Sequence, residues 1–314
     1  MDNPNASLVN ALEARVKLRH YRLLVALARH RSVTRVAEAL GISQPSVTRA
    51  LADIEDVFGT PLFSRTGRGL EPTAAGEVVI ARAGYAISES QALLKDLECV
   101  RAGQQGRLRV GVIPYTSTRV LDAAWSYLFS LRPRVAIAVT EDVTGNLLAA
   151  LGDRALDCAI CRFSQGGTED GLEQVLLYHQ QPRLVVAKPS AALLARYPDM
   201  DIARLSEMDW IFPPAGTPIG GMIKAIFSAA GRELPAPVLE AYAVRTISAA
   251  LRTLPRGITV LPDDIAEAVC VGGGAEVLPT ILPWNLPPVG LAWLRGSPKE
   301  NLIGGLREVI LSGG

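Results

Sequence analysis

The stretch that decides the fold is Ser32–Arg49, which reads SVTRVAEALGISQPSVTR. A helix is predicted to begin after Ser32, a good N-cap, and to end at Gly41, the usual residue beyond a helix C-terminus. Its apolar face consists of Val33, Val36, Ala37 and Leu40. Ser43 then caps a second helix, whose first turn tolerates Pro45 because amides there have no intrahelical partner. Two helices joined by so short a turn predict a helix-turn-helix, which presents its second helix to the DNA major groove.

The outward face of the second helix carries groups that can reach base edges and phosphates. It consists of Gln44, Ser46, Thr48 and Arg49, whereas the inward face is Val47, Ala50 or Leu51, Ile54 and Phe58. Helix-turn-helix shapes also occur in proteins that never touch DNA. The segment Arg15–Leu70, however, holds ten cations and four acids, a local charge of +6 in a chain of net charge +1, which leaves −5 for the rest. This asymmetry indicates a polyanionic partner for the N-terminal part, with a solvated charged face as the alternative.

Segments on either side complete a winged domain. Before the motif, Tyr21, Leu24, Val25 and Ala28 follow the spacing of an amphipathic helix. After it, Pro61–Pro72 predicts two short strands around glycine-bearing turn residues, a wing with arginines at its tip. Those arginines are placed for the phosphate backbone or the minor groove, an ordinary basic hairpin being the alternative. The candidate DNA-binding residues are Arg35, Gln44, Pro45, Ser46, Thr48, Arg49, Arg65 and Arg68.

A long helix is predicted next, capped by Thr73 and extending to about Val100. An a/d heptad seam runs along it through Val79, Ala83, Ala86, Ser90, Leu93, Leu97 and Val100. Such a seam needs a partner, most simply the same helix of a second chain, while packing against its own domain is the alternative. A dimer of this kind predicts a pseudo-palindromic operator, because two-fold protein symmetry is mirrored in the DNA.

Beyond a hinge predicted at Arg101–Gly106, strands and helices alternate to the C-terminus. The first predicted strands carry Leu108, Val110, Val112 and Val135, Ile137, Val139, and the first predicted helices carry Leu121, Ala124, Trp125, Leu128, Leu131 and Leu147, Leu148, Leu151. This alternation predicts an α/β region built on largely parallel sheets.

The N-terminal motifs resemble those of the LysR-type transcriptional regulators. The resemblance rests on Ser32–Gly41, Ser43–Thr48, Leu62–Arg65 and Leu70–Gly76, which together are far more specific than one short motif. It implies a winged helix-turn-helix DNA-binding domain at residues 1–72, a linker (dimerisation) helix at 73–103 and an effector-binding regulatory domain at 107–314.

The same resemblance implies two α/β subdomains like those of periplasmic solute-binding proteins. Subdomain one is expected at 107–182 plus 296–314, and subdomain two at 183–295. The chain is expected to form a homotetramer assembled from dimers and to regulate transcription in response to a small molecule bound between the subdomains. Double-stranded DNA and the effector are the implied partners, and RNA polymerase is a further one.

Candidate effector contacts come from three predicted helix N-termini and one strand end. They are Thr116, Ser117, Thr118, Thr217, Arg245 and Thr246, together with Arg162. Ligands of open α/β sheets bind where helix N-termini converge, and the resemblance places the three N-terminal segments around the cleft. Simple helix capping is an equally good interpretation of any single hydroxyl. The two arginines predict a small anionic metabolite, such as an organic acid or acidic sugar derivative, unless Arg162 pairs with a surface acid.

The sequence shows no constellation typical of an enzyme, so neither catalytic residues nor a metal or other cofactor are expected. Cys158 and Cys161 spell CxxC, but residues three apart on a strand point to opposite faces, which favours two buried thiols. The three histidines are scattered, and no nucleophile elbow occurs. An enzyme recruited to DNA and a one-domain architectural protein are the alternative classes. Without an apolar run of about 18 residues or an apolar signal segment, the protein is expected to be cytoplasmic.

Overall fold

A computed structural model describes residues 4–67, 69–163, 171–194, 202–280, 282 and 284–312, and the chain forms two compact units. The first unit comprises residues 1–106 and 152–155, and the second comprises residues 107–151 and 156–314. Within the described ranges, none of the helices combines the length and the apolar character that a membrane span requires.

The first unit consists of helices and one two-stranded hairpin around a small apolar core. Its elements are α1 (Pro4–Arg15), α2 (Leu18–His30), α3 (Val33–Leu40), α4 (Gln44–Phe58), β1 (Phe63–Thr66), β2 (Gly69–Pro72) and α5 (Ala74–Arg101). Leu24, Val36, Val47, Ile54 and Leu62 are buried together in the core. The helix-turn-helix pair α3 and α4 is therefore held against α2 by the side chains that the sequence pattern placed inward.

Helix boundaries in this unit follow the capping signals in the sequence. The capping hydrogen bonds run from Arg35 N to Ser32 Oγ (3.5 Å), from Ser46 N to Ser43 Oγ (3.3 Å) and from Gly76 N to Thr73 Oγ1 (3.0 Å). Gly41 ends α3 with a φ of 66°, in the left-handed region where a residue without Cβ is unstrained. The predicted starts of α3, α4 and α5 and the predicted end of α3 are confirmed.

The buried face of α2 differs from the predicted one. Leu23, Leu24 and Leu27 are buried, whereas Val25 and Ala28 are only partly buried. Both stripes fit a helical period, but the leucines remove more apolar surface from water, so the helix presents them to the core. Helix α1 has no counterpart in the sequence-based prediction, because its apolar residues do not form a single stripe.

The predicted wing is confirmed as the hairpin of β1 and β2. The strands pair antiparallel from Phe63 opposite Pro72 to Thr66 opposite Gly69. Glu55 of α4 fixes the base of this hairpin, since its Oε1 accepts hydrogen bonds from the backbone amides of Leu62 (2.7 Å) and Phe63 (3.1 Å). The wing and helix α4 are thereby attached to each other.

Two five-stranded sheets with flanking helices make up the second unit. The strands are β3 (Arg107–Val112), β4 (Ala136–Glu141), β5 (Cys158–Arg162), β6 (Leu172–Tyr178), β7 (Pro182–Ala187), β8 (Asp209–Phe212), β9 (Leu239–Glu240), β10 (Gly257–Pro262), β11 (Ala275–Val277) and β12 (Val289–Leu294). The helices are α6 (Thr118–Ser130), α7 (Thr144–Gly152), α8 (Lys188–Leu194), α9 (Ile202–Ser206), α10 (Pro218–Ala229), α11 (Val244–Thr253), α12 (Asp263–Val271) and α13 (Glu300–Ser312). The strand orders are β4-β3-β5-β12-β6 and β11-β7-β10-β8-β9.

Both sheets are mixed, so the prediction of largely parallel sheets overstates the share of parallel strand pairs. Strands β3, β4 and β5 are parallel, and so are β8, β9 and β10. The antiparallel pairs are those of β12 with β5 and β6, and of β7 with β10 and β11. Strand β7 carries the chain into the second sheet and β12 carries it back to the first. The antiparallel pairing is thus a consequence of the two crossings.

Strand β12 also corrects the predicted boundary between the subdomains. The predicted subdomain two extended to residue 295, but Val289–Leu294 lies in the first sheet, between β5 and β6. Leu286 still belongs to the apolar core of the second sheet, whereas Val289 belongs to that of the first. The run VGLAWL is almost entirely buried, as a strand covered on both faces should be. The chain therefore returns between Leu286 and Val289.

Candidate DNA interface and effector cleft

The predicted base-reading residues share one exposed face at the start of α4. Gln44, Pro45, Ser46, Thr48 and Arg49 are all exposed. Two hydroxyls are engaged locally, Ser46 Oγ lying 2.8 Å from Ser43 Oγ and Thr48 Oγ1 donating to the carbonyl of Gln44 at 3.1 Å. Such short local bonds exchange easily for contacts with a base edge, whereas Arg49 extends from an exposed position over the same face.

The remaining predicted DNA contacts lie beside the wing. Arg35 of α3 and Arg65 of β1 line a common cavity, while Arg68 lies outside the described residues. A second cavity, of about 610 Å³, adjoins Ser46 and Arg49 and is also lined by Arg19 and Arg22 of α2. The sequence reading missed these two cations, although their spacing of three places them on one helix face.

The linker seam leaves large apolar side chains in water at its C-terminal end. Leu93 is 60% exposed and Leu97 is 46% exposed, and Val100 is exposed as well. Ala83 is buried, so the N-terminal part of the seam packs within the first unit. The alternative of packing on the helix's own domain thus accounts for the beginning of the seam and leaves its end without a partner in the described chain.

The first predicted effector segment lies where β3 ends and α6 begins. Thr116 and Ser117 are buried, and Thr118 is exposed. The backbone amide of Ser117 donates to the Tyr178 hydroxyl at 2.8 Å, and Thr116 Oγ1 donates to the carbonyl of Ile113 at 2.7 Å. Ser117 makes no side-chain capping bond although it is the N-cap of α6, so simple capping does not account for its hydroxyl.

Arg162 is 5% exposed and joins the two segments on which the chain crosses between the sheets. Its Nη2 donates to Gln180 Oε1 at 2.5 Å, in the crossing between β6 and β7. Its Nη1 donates to the Pro287 carbonyl at 2.8 Å, in the return crossing before β12. Its backbone amide donates to Thr144 Oγ1 at 3.2 Å, at the start of α7. The alternative of a surface ion pair is wrong, because this guanidinium is buried and its donors bind the crossings.

Gln180 extends the same network to the second sheet. Its Nε2 donates to the Tyr115 carbonyl at 3.0 Å and to Asp264 Oδ1 at 2.7 Å, at the start of α12. Tyr115 follows β3, yet its ring packs into the apolar core of the second sheet, edge-on to Tyr242 at 4.6 Å between centroids. Sequence reasoning missed these residues, and the polar pair Gln180–Gln181 beside the expected crossing was the available signal.

The electrostatics of this region combine the buried cation of Arg162 with neutral phenols and with the carboxylate of Asp264. Burial raises the pKa of Tyr115 and Tyr242, and burial raises the pKa of Tyr178 to about 12. Burial also lowers the pKa of Arg162, although the ordinary value is high enough that the guanidinium stays protonated. Arg162 forms no ion pair with any residue that the structure describes. Asp264 bonds to Gln180 and not to Arg162, so the positive charge of Arg162 is not directly neutralised.

The other predicted effector residues divide into a cap and an exposed pair. Thr217 caps α10, its Oγ1 accepting from Gly220 N at 3.2 Å and donating to the Pro214 carbonyl at 3.0 Å. Capping is therefore a sufficient account of Thr217. Arg245 and Thr246 lie exposed in the first turn of α11, where no side-chain cap satisfies the backbone amides.

Two of the four cysteines are buried as apolar core groups. Cys158 and Cys161 are buried within β5, and all four cysteines are free thiols. Burial raises the pKa of the Cys158 thiol, which suppresses the reactive thiolate. Within the described ranges, no three His, Cys, Asp or Glu side chains are grouped so as to hold a metal ion.

Comparison with known families accounts for almost the whole chain. Residues 18–77 match the bacterial regulatory helix-turn-helix protein, lysR family, and residues 101–313 match the LysR substrate binding domain. The chain belongs to the LysR family. LysR-type proteins are DNA-binding transcriptional regulators with an effector-binding regulatory domain, and that is the function of this chain. The family consists of regulators and not of enzymes.

Individual relatives agree with this assignment. The HTH-type transcriptional regulator GbpR of Azospirillum brasilense is 28% identical over 91% of this chain and 83% of its own length. PcaQ of Agrobacterium fabrum is 29% identical over 89% of each chain. The crystal structure of full-length CbnR complexed with its target DNA matches with a TM-score of 0.61, 18% identity and coverage of 95% of this chain and 100% of that one. This LysR-type regulator therefore has the predicted fold of a winged domain, a linker helix and two substrate-binding-like subdomains.

Proposed function

We propose that this LysR-type regulator binds a pseudo-palindromic operator in the cytoplasm, where its DNA lies, and responds to a small anionic effector held between the two subdomains. The observation that supports the anionic effector is the buried guanidinium of Arg162, which makes no direct ion pair among the described residues and interacts with Asp264 across Gln180. Burying a cation whose direct hydrogen-bond partners are neutral is costly, and an anion in the cleft lowers that cost.

Arg162 acts on this effector through its charge and its hold on the crossings. Two of the five N–H donors of its guanidinium already bind the protein, which leaves three for an effector. Ser117, Thr118, Arg245 and Thr246 supply the direct contacts in this proposal. Ser117 offers a hydroxyl without a capping role, and Arg245 offers an exposed cation on a helix N-terminal turn. Thr116 and Thr217 define the shape of the site without contacting the effector directly.

Calorimetry on the full-length protein tests the effector proposal. A panel of small organic acids and acidic sugar derivatives is titrated beside neutral isosteres of each. We expect binding by acids alone, loss of that binding in Arg245→Ala, and partial retention in Arg245→Lys. Arg252→Ala, a cation in the last turn of the same helix, is the matched control. An effector that is neutral, or that binds equally well to Arg245→Ala, contradicts the proposal.

The same samples test the absence of catalysis. The cleft is proposed to bind without turnover, and proton NMR after prolonged incubation with the binding acid should show the acid unchanged. Arg245→Ala should also retain the operator affinity of the parent protein in the absence of effector. If the acid is converted, the recruited-enzyme alternative holds instead.

The DNA-binding form is proposed to be a homotetramer, which needs two different interfaces. The exposed end of the linker seam supplies the first, since apolar a/d side chains are buried by the same helix of a second chain. The exposed edges of the two sheets supply the second. Phe129 on α6 and Val139 on edge strand β4 are exposed apolar residues, as is Val238 beside edge strand β9.

Sedimentation velocity separates the two interfaces. Leu93→Glu combined with Leu97→Glu should dissociate the linker pair, while Val78→Glu, an exposed apolar position outside the seam, is the control. Phe129→Asp should produce dimers in place of tetramers. A monomeric parent at micromolar concentration contradicts both interfaces.

RNA polymerase is proposed as a further partner of the DNA-bound form, and transcription in vitro with purified polymerase tests that contact.

A further inference from the structure

A cavity of about 700 Å³ lies between the corner joining α2 to α3 and the wing. Arg29, Arg31 and Arg35 line it from the corner, and Arg65 lines it from strand β1. None of the described residues that line the cavity is acidic. Arg35 and Arg65 were predicted from the sequence as separate DNA contacts, whereas the structure brings them to one cavity with two further arginines.

The two walls of this cavity are attached to each other. The backbone amide of Leu70 in the wing donates to the Arg31 carbonyl at 2.9 Å. A Cβ atom at Gly69 would lie 2.5 Å from that same oxygen, so the wing can approach the corner this closely only with glycine at position 69. Arg31 itself has a φ of 53°, in the left-handed region that arginine rarely adopts. The separation of the walls is thus set by the backbone.

The cations on these walls have few competing anions. Arg31 lies 3.6 Å from the carboxylate of Glu71, which neutralises part of its charge. Arg29, Arg35 and Arg65 are exposed and form no ion pair with any residue in the described ranges. The N-terminus of α3 opens into the same space, and its free amides and dipole add positive potential. An anion with several oxygens can therefore bind both walls at once.

We propose that this cavity is one binding site for a phosphodiester, and that Arg29 and Arg65 together hold a backbone phosphate of the DNA in it. The proposal rests on the proposed DNA-binding role of the wing, and it adds Arg29 to that role. A backbone phosphate is the expected occupant because the cavity belongs to the DNA-binding unit and its described lining includes none of the predicted base-reading residues of α4. Its contribution to affinity is independent of DNA sequence.

Fluorescence anisotropy with full-length protein and a labelled duplex tests the site between about 50 and 200 mM salt. Arg29→Ala and Arg65→Ala should each weaken binding and flatten the slope of log Kd against log salt by up to about 0.9, the value for one phosphate. Because both arginines hold the same phosphate, the double variant should lose less affinity than the product of the two single losses. Arg101→Ala, at the other end of the 28-residue helix α5, is the control for loss of one charge.

Gly69→Ala separates a joint site from two neighbouring contacts. The added Cβ displaces the wing from the Arg31 carbonyl, and the coupling between Arg29 and Arg65 should then disappear. Circular dichroism checks that each variant is folded. The proposal is overturned if, with Gly69 in place, the affinity loss of the double variant equals the product of the two single losses. It is also overturned if Arg29→Ala binds the duplex as tightly as the parent. Arg49→Ala then shows which proposal is at fault. If Arg49→Ala weakens duplex binding, only the cavity assignment is wrong. If Arg49→Ala also binds like the parent, the proposed DNA-binding face is wrong as well.

A free phosphate compound is the other source of the same chemistry. Inorganic pyrophosphate is titrated into the protein without DNA, by calorimetry. We expect weak binding that depends on Arg29 and competes with the duplex. Tight binding that depends on Arg29, together with unchanged duplex affinity in Arg29→Ala, would assign the cavity to a free phosphoanion and overturn the DNA assignment.

Discussion

Four arginines of the first unit and one arginine of the second have opposite environments. In the first unit, Arg29, Arg35, Arg49 and Arg65 are exposed and form no ion pair within the described ranges. In the second unit, Arg162 is buried and donates to both crossing segments. Exposed guanidinium groups keep their hydration until a polyanion replaces it, whereas a buried one must be satisfied by the fold.

A second buried cluster strengthens this contrast. Asp157, just before β5, accepts from Arg109 Nη2 at 2.6 Å and from Lys299 Nζ at 3.2 Å. Lys299 also donates to the Arg107 carbonyl, where the second unit begins. The contrast between exposed, unpaired cations and buried, paired ones shows that the number of cations alone does not indicate nucleic-acid binding. Cations available to a polyanion are those without a structural partner.

The largest expected effect is that of Asp157→Ala. It leaves Arg109 and Lys299, both largely buried, without their carboxylate, and should lower the free energy of unfolding by about 3–5 kcal/mol. Urea denaturation followed by circular dichroism measures the loss. The duplex affinity of the folded variant should equal that of the parent, and a parallel loss of DNA affinity would break the contrast between the units.

Asp157 also predicts how this stability depends on pH. Burial opposes its ionisation, but hydrogen bonds from Arg109 and the charge of Lys299 outweigh it and lower the pKa of Asp157. A carboxyl whose folded pKa lies below its unfolded value of about 3.9 stabilises the fold above that pH, and the contribution is lost as the pH falls through the folded pKa. The stability difference between the parent and Asp157→Asn should therefore shrink below about pH 4. A difference that stays constant from neutral pH to pH 3 contradicts this assignment.

Arg162→Ala should have the next largest effect. It leaves the Gln180 amide oxygen and the Pro287 carbonyl without their donor and opens a cavity, so unfolding should become easier by about 2–4 kcal/mol. Arg245→Ala is the control, because that arginine is exposed and its loss should change stability by no more than about 0.5 kcal/mol. Equal effects of the two substitutions would show that the crossings do not depend on Arg162.

Arg49→Ala should affect DNA binding and not stability, the reverse of what is expected for Arg162→Ala. The substitution should weaken operator binding by about 1–3 kcal/mol if the guanidinium meets a base edge, and the loss should be confined to the cognate sequence. Its denaturation midpoint should be that of the parent protein. A shift in the midpoint without a change in operator affinity would place Arg49 among the structural cations.

The smallest effect is expected at a cation that is both exposed and paired. Arg15 and Asp56 lie 2.7 Å apart with side chains 51% and 68% exposed. Solvent and salt screen such a pair, so Asp56→Ala should change the free energy of unfolding by less than about 1 kcal/mol. Denaturation at low and high salt measures it, and a larger loss would show that exposure is a poor guide to the role of a cation here.

Local signals in the sequence predicted the first unit well. Ser32, Ser43 and Thr73 cap the helices that they were expected to cap, because a cap depends on backbone amides three residues away. The buried stripe of α2 was misplaced by a small rotation, since two stripes satisfied the same period. Which stripe is buried depends on neighbouring helices, and spacing alone does not contain that information.

Contacts between distant residues account for what the sequence did not reveal in the second unit. Val289–Leu294 reads as a buried strand, but only pairing with β5 and β6 assigns it to the first sheet. The role of Arg162 likewise depends on Gln180 and on Pro287, which lies 125 residues away along the chain. The predicted effector contacts were chosen from helix N-termini, which are local features. The network through Tyr115, Gln180 and Asp264 is not local.

The second sheet is, in topological terms, an insertion into the first. The chain leaves the first sheet after Tyr178 and returns at Val289, so the insertion has two tethers, and both are held by one guanidinium. A body attached at two neighbouring points keeps one easy rotation, about the line that joins them, and loses free twisting about a single strand of chain. Rotation about that line is therefore the motion that this topology favours for the second sheet.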